Sequence, residues 1–164
     1  MNTPNAKLLL VDDELAFIEI LAQRLRRRNF DAACVDSGEG ALNHLEENDD
    51  LDVIILDLKM PGMNGIETIQ RVKNKWPLIE VILLTGHATV ESAVNALKQG
   101  AFDYLMKPYE LDRLVFKIEA AIHRKRFHET QIQDVQAKPY ISIRDRNELI
   151  SRIFDAARKG KSAG

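Results

Sequence analysis

The chain has 164 residues, an apolar fraction of 45% and a charged fraction of 29%, which suits one well-buried domain with an appendage but is short for two domains. Its apolar runs are shorter than the roughly 18 residues that span a bilayer, and its start lacks the pattern of a secretory signal. A single cysteine, Cys34, excludes an internal disulfide framework and suits a reducing cytoplasm. The formal net charge of −2 is the sum of an acidic body (residues 1–122, net −7) and a basic tail (residues 123–164, net +5).

Short β-branched or Leu-rich segments alternate five times with longer segments of helical periodicity. Five βα units in succession predict a parallel sheet covered by helices on both faces. Because crossovers between parallel strands are right-handed, we expect a flavodoxin-like (βα)5 doubly wound α/β fold with strand order 2-1-3-4-5. The strands are predicted at residues 8–11, 31–35, 52–57, 79–84 and 102–106, and the helices at residues 14–28, 38–47, 65–75, between 89 and 100, and from about 110.

Several helix ends are marked by residues with specific backbone roles. Ser37 and Thr89 precede helical segments, where their hydroxyls can accept hydrogen bonds from backbone N–H groups of the first turn. Asn29 and Gly100 follow helical segments and suit the left-handed conformation that commonly ends a helix. These signals support the predicted element boundaries.

The tail at residues 123–164 differs from the body and is predicted to be a helical, partly disordered extension of the α/β domain. Helical periodicity continues from the last helix of the body to about Val135, and Pro139 then interrupts it. A second amphipathic stretch follows at residues 149–157, and the composition of residues 159–164 is typical of disorder.

The basic segment at residues 123–126 invites a nucleic-acid interpretation. The tail lacks interleaved aromatic residues or a recognisable binding motif, so we interpret this segment as a solvated helix face and expect no nucleic-acid partner. His44, His123 and His128 are predicted on helix surfaces and receive no role.

Four of the predicted strands end in chemically reactive residues. Asp12 and Asp13 follow the first strand, Asp57 the third, Thr85 the fourth and Lys107 the fifth. Parallel strands bring their carboxyl ends together at one edge of an open α/β sheet, where ligands bind. We therefore expect these residues to share one pocket, with the three aspartates at the centre, where strands one and three are neighbours.

Three carboxylates, a hydroxyl and an ammonium group in one pocket suit a divalent cation and a phosphoryl group. Crowded carboxylates repel one another, and oxygen ligands with several retained waters favour Mg²⁺. A carboxylate fixed at the end of an apolar strand, as Asp57 is, can attack phosphorus and form an acyl phosphate. Taken singly, each residue has an ordinary structural explanation as a turn former or exposed side chain; the coincidence of all of them at strand ends favours the functional interpretation.

These residues stand in segments that closely resemble the receiver domain of bacterial two-component response regulators. The resemblance covers residues 7 to about 122 and is nearest in character to receivers of enhancer-binding transcriptional activators. The matching segments are Leu10-Val11-Asp12-Asp13-Glu14, Asp57-Leu58-Lys59-Met60-Pro61-Gly62-Met63-Asn64-Gly65, Leu84-Thr85-Gly86-His87-Ala88 and Lys107-Pro108-Tyr109.

The resemblance implies a role for each residue of the predicted pocket. Asp57 would accept phosphate from a histidine kinase or a small phosphodonor. Asp13 and Asp57 would ligate Mg²⁺ directly and Asp12 largely through water, with the backbone carbonyl of Lys59 as a further ligand.

The resemblance also implies residues that switch the molecule and time the signal. Thr85 and Lys107 would bind the phosphoryl group, and Tyr104 would turn inward when Thr85 moves toward it. The face of helix four, strand five and helix five would then change shape and bias a partner or dimer equilibrium. Lys59 and His87 are expected to line the path of the attacking water and to tune the lifetime of the phosphorylated form.

The resemblance implies a signalling switch, not an enzyme, with a cognate sensor histidine kinase, an unknown downstream protein and a possible homodimer as partners. We expect it to act without an output domain of its own, although it could be the receiver part of a truncated transcriptional regulator. A Mg²⁺-dependent aspartyl-phosphate phosphohydrolase is a further alternative, but Lys59 stands where such an enzyme has its second acid. Flavin binding is disfavoured because the acidic residues after strand one would repel the flavin phosphate.

Overall fold

The computed structural model describes residues 5–86 and 89–160. Its centre is a sheet of five parallel strands in the order β2-β1-β3-β4-β5, which confirms the predicted flavodoxin-like topology. The strands are β1 (Lys7–Val11), β2 (Asp31–Val35), β3 (Val53–Leu56), β4 (Glu80–Thr85) and β5 (Asp103–Met106).

Helices cover both faces of the sheet, as predicted. They are α1 (Leu15–Arg26), α2 (Gly38–Glu47), α3 (Gly65–Lys75), α4 (Val90–Lys98), α5 (Leu111–Gln136) and α6 (Ile143–Arg158). Successive side chains of a strand point to opposite faces, so Leu8 and Leu10 join the core beneath α1 and α5, whereas Leu9 and Val11 join the core beneath α2, α3 and α4.

The predicted helix-end signals are confirmed. The Ser37 hydroxyl accepts a hydrogen bond from the Gly40 N–H (3.0 Å), and Thr89 forms a reciprocal capping box with Ser92. Asn29 and Gly100 adopt positive φ angles of 68° and 110° after α1 and α4. These ends fix where each chain segment leaves its helix and re-enters the sheet.

The tail folds back on the body as a helical hairpin. α5 runs without interruption across residue 122 to Gln136, and α6 packs against it, burying Val135 and Ala157. The domain boundary at residue 122 therefore falls inside a continuous helix and stays a prediction. Of the predicted disordered end at residues 159–164, residues 161–164 lie outside the described residues. Within the described ranges, no helix is both long and apolar enough to cross a membrane.

Two expectations about the tail are wrong. His128 is not on a solvated surface: it is only 6% exposed. Burial lowers the pKa of His128, and nearby Arg124 lowers it further against the opposing effect of a hydrogen bond with Gln131.

The basic segment is not a uniformly solvated helix face. Arg124 forms an ion pair with the fully buried Glu80, and Lys125, 7% exposed, forms ion pairs with Asp52 (3.1 Å) and Glu129 (2.8 Å). Sequence periodicity could not show this, because the acidic partners Glu80 and Asp52 lie in the body, more than 40 residues away.

Candidate functional site

Three aspartates meet at the carboxyl edge of the sheet, where β1 and β3 are neighbours. The strands are in register with Val11 opposite Leu56, and the Asp57 N–H donates to the Val11 carbonyl (3.0 Å). Asp12 and Asp57 are buried, whereas Asp13 is exposed. One carboxylate oxygen from each aspartate lies within 4.8 Å of the others. The predicted convergence of these three residues is therefore confirmed.

Backbone donors and an ammonium group orient the buried carboxylates. Asp12 Oδ1 accepts from the Glu14 N–H (3.0 Å), and the Lys59 N–H lies 3.5 Å from Asp57 Oδ1. Lys107 Nζ donates to Asp12 Oδ2 (3.0 Å) across the edge of the sheet. One ammonium against three carboxylates leaves excess negative charge, which a divalent cation would offset.

The carboxylate oxygens fit a hard cation. Asp12, Asp13 and Asp57 offer only oxygen ligands, and the exposed side of Asp13 leaves the cluster open to solvent. Mg²⁺ keeps several waters and binds proteins through a few carboxylates, so an open cluster of this kind suits it. The carbonyl of Lys59, expected as a further ligand, belongs to the loop that follows Asp57.

Thr85 and Lys107 lie at the same edge of the sheet as the aspartates. Thr85 is the last residue of β4 and is fully buried, and its carbonyl accepts from the Lys107 N–H (3.1 Å). The ends of β4 and β5 are thereby tied together at this edge of the sheet.

Tyr104 lies on β5, opposite Leu83, and is 39% exposed. It borders a surface cleft with Met106, Arg113 and Lys117, so its ring faces outward from the sheet. Lys59 is exposed beside Asp57. His87, expected to tune the phosphoryl lifetime, lies outside the described residues.

Two contacts that the sequence did not predict help to form the site. Lys107 Nζ lies 4.3 Å from the centre of the Phe17 ring, a cation–π contact that steadies the ammonium beside Asp12. Gly65 begins α3 so close to the strand end that a Cβ there would lie 2.7 Å from the Asp57 carbonyl oxygen. The Asn64-Gly65 pair at a helix start was the available sequence signal for the close approach of Gly65 to Asp57. The contact of Phe17 with Lys107 had no such signal, because it joins residues 90 positions apart.

A family model described as "Response regulator receiver domain" matches residues 8–119. The chain belongs to the response regulator receiver family. The matched range contains every residue placed at the site above, from Asp12 to Lys107, whereas the second half of α5 and the whole of α6 lie beyond it.

Receivers of transcriptional regulators are among the relatives. The transcriptional regulatory protein ZraR of Escherichia coli (strain K12) is 38% identical over 122 residues, which are 74% of this chain and 27% of that protein. The DNA-binding transcriptional regulator NtrC of Klebsiella pneumoniae is 34% identical over 113 residues, 69% of this chain and 24% of that protein. The chain therefore spans about a third or less of the length of these curated relatives.

Solved receiver structures share the fold. A response regulator receiver domain protein from Clostridium thermocellum superposes with a TM-score of 0.71 at 35% identity, covering 74% of this chain and 98% of that chain. A structure described as adenylate cyclase from Rhodopirellula baltica superposes with a TM-score of 0.76 at 29% identity, covering 82% of this chain and 99% of that chain. These receiver-like folds confirm the five-stranded architecture.

Proposed function

We propose that this receiver accepts a phosphoryl group on Asp57, from a sensor histidine kinase or a small phosphodonor, in a Mg²⁺-dependent reaction. The observation that carries the proposal is the cluster itself: a buried Asp57 carboxylate within 4.8 Å of Asp12 and Asp13 oxygens, with Lys107 paired to Asp12. This arrangement combines a fixed nucleophile with a cation site and a positive side chain.

In the proposed reaction, an Asp57 oxygen attacks phosphorus and forms an O–P bond. The bond from phosphorus to the donor breaks, to nitrogen for a phosphohistidine or to oxygen for an acyl phosphate, and the leaving group keeps the electron pair. Asp13, Asp57 and the Lys59 carbonyl, with Asp12 acting largely through water, would hold Mg²⁺, which would supply positive charge to the phosphoryl oxygens. Catalysis of this kind depends mainly on positioning and on electrostatic stabilisation.

Thr85 and Lys107 would then bind the phosphoryl oxygens through the hydroxyl and the ammonium. The pairing of Lys107 with Asp12 keeps the ammonium at the cluster before the phosphoryl group arrives. Movement of Thr85 toward the phosphoryl group would free space that the Tyr104 ring, outward and 39% exposed in this structure, turns inward to fill.

The surface that responds would be formed by α4, β5 and α5. It carries exposed apolar side chains, Val90 (84%), Val94 (44%) and Met106 (40%), in addition to Tyr104. Exposed apolar residues grouped on one face favour a protein partner, which would be a second copy of this chain or a downstream protein in the cytoplasm.

Mass spectrometry of the intact protein tests the proposal. With acetyl phosphate and Mg²⁺, the wild type should gain the mass of one phosphoryl group, and Asp57→Asn should not. Asp103→Asn is the matched control, because Asp103 lies at the start of β5 and pairs with Lys117 (2.6 Å) away from the cluster. Phosphorylation that persists in Asp57→Asn, or is unaffected by removing Mg²⁺ with EDTA, would refute the proposal.

Light scattering tests the output. Beryllofluoride with Mg²⁺ imitates the phosphorylated aspartate, so an increase in mass would show dimerisation of the activated form. An unchanged mass would exclude phosphorylation-driven dimerisation and direct attention to a downstream protein. Steady turnover of generic phosphate esters, beyond slow self-dephosphorylation, would instead favour a phosphohydrolase.

A further inference from the structure

Arg124 links the end of α6 to the receiver through hydrogen bonds. Arg124 Nη1 donates to both carboxylate oxygens of the fully buried Glu80 (2.8 and 3.0 Å), and Nη2 donates to the carbonyls of Ala156 (3.0 Å) and Lys159 (2.8 Å). These carbonyls lie at the carboxyl end of α6, where a cation is favourable. Arg124 thus connects Glu80, the first residue of β4, to the last turn of α6.

The same end of α6 packs directly on the turn between α4 and β5. A Cβ built on Gly160 would lie 2.5 Å from the Leu97 carbonyl oxygen and 2.6 Å from that of Ala101. A Cβ on Gly100 would lie 2.5 Å from the Arg158 carbonyl oxygen and 3.0 Å from Lys73 Cγ. Backbone therefore lies against backbone here, so neither segment can shift without displacing the other.

The first residue of α4 follows Thr85 closely along the chain. Thr89, which caps α4, is four residues after Thr85, and α4 then runs from Val90 to Lys98. Nine residues of α-helix span about 13 Å as a stiff rod. Thr89 and the turn that receives α6 therefore lie at opposite ends of one short helix.

We propose that α6 is an intramolecular effector of the receiver: docked on the α4–β5 turn, it holds α4 in the position that accompanies an outward Tyr104, and it opposes the phosphorylated state. The proposal rests on phosphorylation of Asp57 as proposed above. Because coupling between two events is reciprocal, phosphorylation must loosen α6 to the same degree that docked α6 weakens binding of a phosphoryl analogue.

The test uses the full chain and beryllofluoride, titrated by calorimetry into Mg²⁺-saturated protein. Gly160→Val places a side chain against the Leu97 and Ala101 carbonyls and should release α6; the backbone of Gly160 is not left-handed, so the change acts through packing. We expect the half-saturating beryllofluoride concentration to fall by at least about fivefold, the low end of typical allosteric coupling. Ser151→Val is the matched control, because Ser151 lies on the exposed side of α6.

A second variant and a second readout guard against an unrelated packing defect. Ala157→Glu inserts a charge at a fully buried position of α6 and should shift the half-saturation in the same direction. In the wild type, hydrogen exchange of α6 amides should accelerate when beryllofluoride binds.

The possible failures are distinguishable. If beryllofluoride does not bind the wild type, or still binds Asp57→Asn, the proposed function fails and the inference fails with it. If it binds through Asp57 but α6 exchange is unchanged, or the two α6 variants leave the half-saturation unchanged or raise it, the inference is overturned while the proposed function stands.

Discussion

Replacing Lys107 by methionine should affect the two proposed ligands of the site in opposite directions. The Lys107 ammonium lies 3.0 Å from Asp12 Oδ2 and competes with a bound cation for that carboxylate. The same ammonium is the proposed partner of the phosphoryl oxygens. Lys107→Met should therefore bind Mg²⁺ more tightly and, at saturating Mg²⁺, bind beryllofluoride more weakly.

The geometry of the Lys107–Asp12 ion pair sets the size of the expected gain in Mg²⁺ affinity. Two unit charges about 4 Å apart interact by roughly 4 kcal/mol at an effective dielectric constant of 20 and by roughly 1 kcal/mol in water. The Asp12 side chain is 4% exposed and that of Lys107 21%, so the pair lies between these limits, and part of the attraction is offset by lost hydration. Relief of about 1–2 kcal/mol corresponds to Mg²⁺ binding that is about 5- to 30-fold tighter.

Calorimetric titration of Mg²⁺ at low ionic strength measures the change in Mg²⁺ affinity. Titration of beryllofluoride at saturating Mg²⁺ measures the change in beryllofluoride affinity. Lys117→Met is the matched control, because Lys117 is about as exposed as Lys107 and forms an ion pair with Asp103, away from the aspartate cluster. Mg²⁺ binding that is weaker in Lys107→Met than in the control would refute the competition argument. Unchanged beryllofluoride binding would remove Lys107 from the phosphoryl site.

Three further predictions concern the timing of the signal and the charges under the tail. Lys59→Asn and His87→Glu should each change the half-life of phospho-Asp57 by several-fold, followed as loss of phosphoryl mass; equal decay in both variants and the wild type would contradict their role. Arg124→Met should lower the free energy of unfolding by about 3 kcal/mol in urea titrations, the low end for breaking a buried pair, because the buried Glu80 loses its hydrogen-bonded partner but keeps Lys73 nearby. The exposed i,i+4 pair broken by Arg152→Met should cost at most about 0.5 kcal/mol, and equal losses would argue against the buried pair. Burial lowers the pKa of Lys73 to about 8, below its value of 10.5 in the unfolded chain. Between about pH 8 and 10.5 the unfolded state therefore binds more protons, and the stability of the wild type relative to Lys73→Met should rise with pH by on the order of 2 kcal/mol. A stability difference that does not change with pH would refute this prediction.

The sheet and its reactive edge could be predicted because both are encoded locally. Each strand is a short apolar run that ends in a polar residue, and parallel pairing places those ends together whatever fills the helices. The positions of Asp12 and Asp57 followed from this rule, and the register of β1 with β3 brings them together. Capping signals such as Thr89 and Gly100 likewise act within a few residues of sequence.

The contacts missed from the sequence join residues far apart in the chain. Phe17 beneath the Lys107 ammonium and Arg124 beneath Glu80 depend on how helices pack over the sheet, which periodicity does not specify. Periodicity predicted the apolar side of the stretch at residues 149–157, which lies in α6, but not that this helix packs against α5. His128 and Lys125 were assigned to solvent because periodicity does not reveal which residues of the body pack against this part of α5.

Two elements, β4 and α4, connect the proposed phosphoryl site to the docked α6, and they differ in how deeply they are buried. β4 also joins the tail to the site, with Glu80 at one end and Thr85 at the other, but all six of its residues are buried between two helical layers. A strand enclosed on both sides cannot shift without disrupting both cores. In α4 only Ala93 and Ala96 are buried, and Val90 and Val94 face solvent. A lightly packed helix moves at lower cost than an enclosed strand. The element that can carry a displacement from Thr85 to the tail is therefore α4, and the turn that follows it is where α6 is docked.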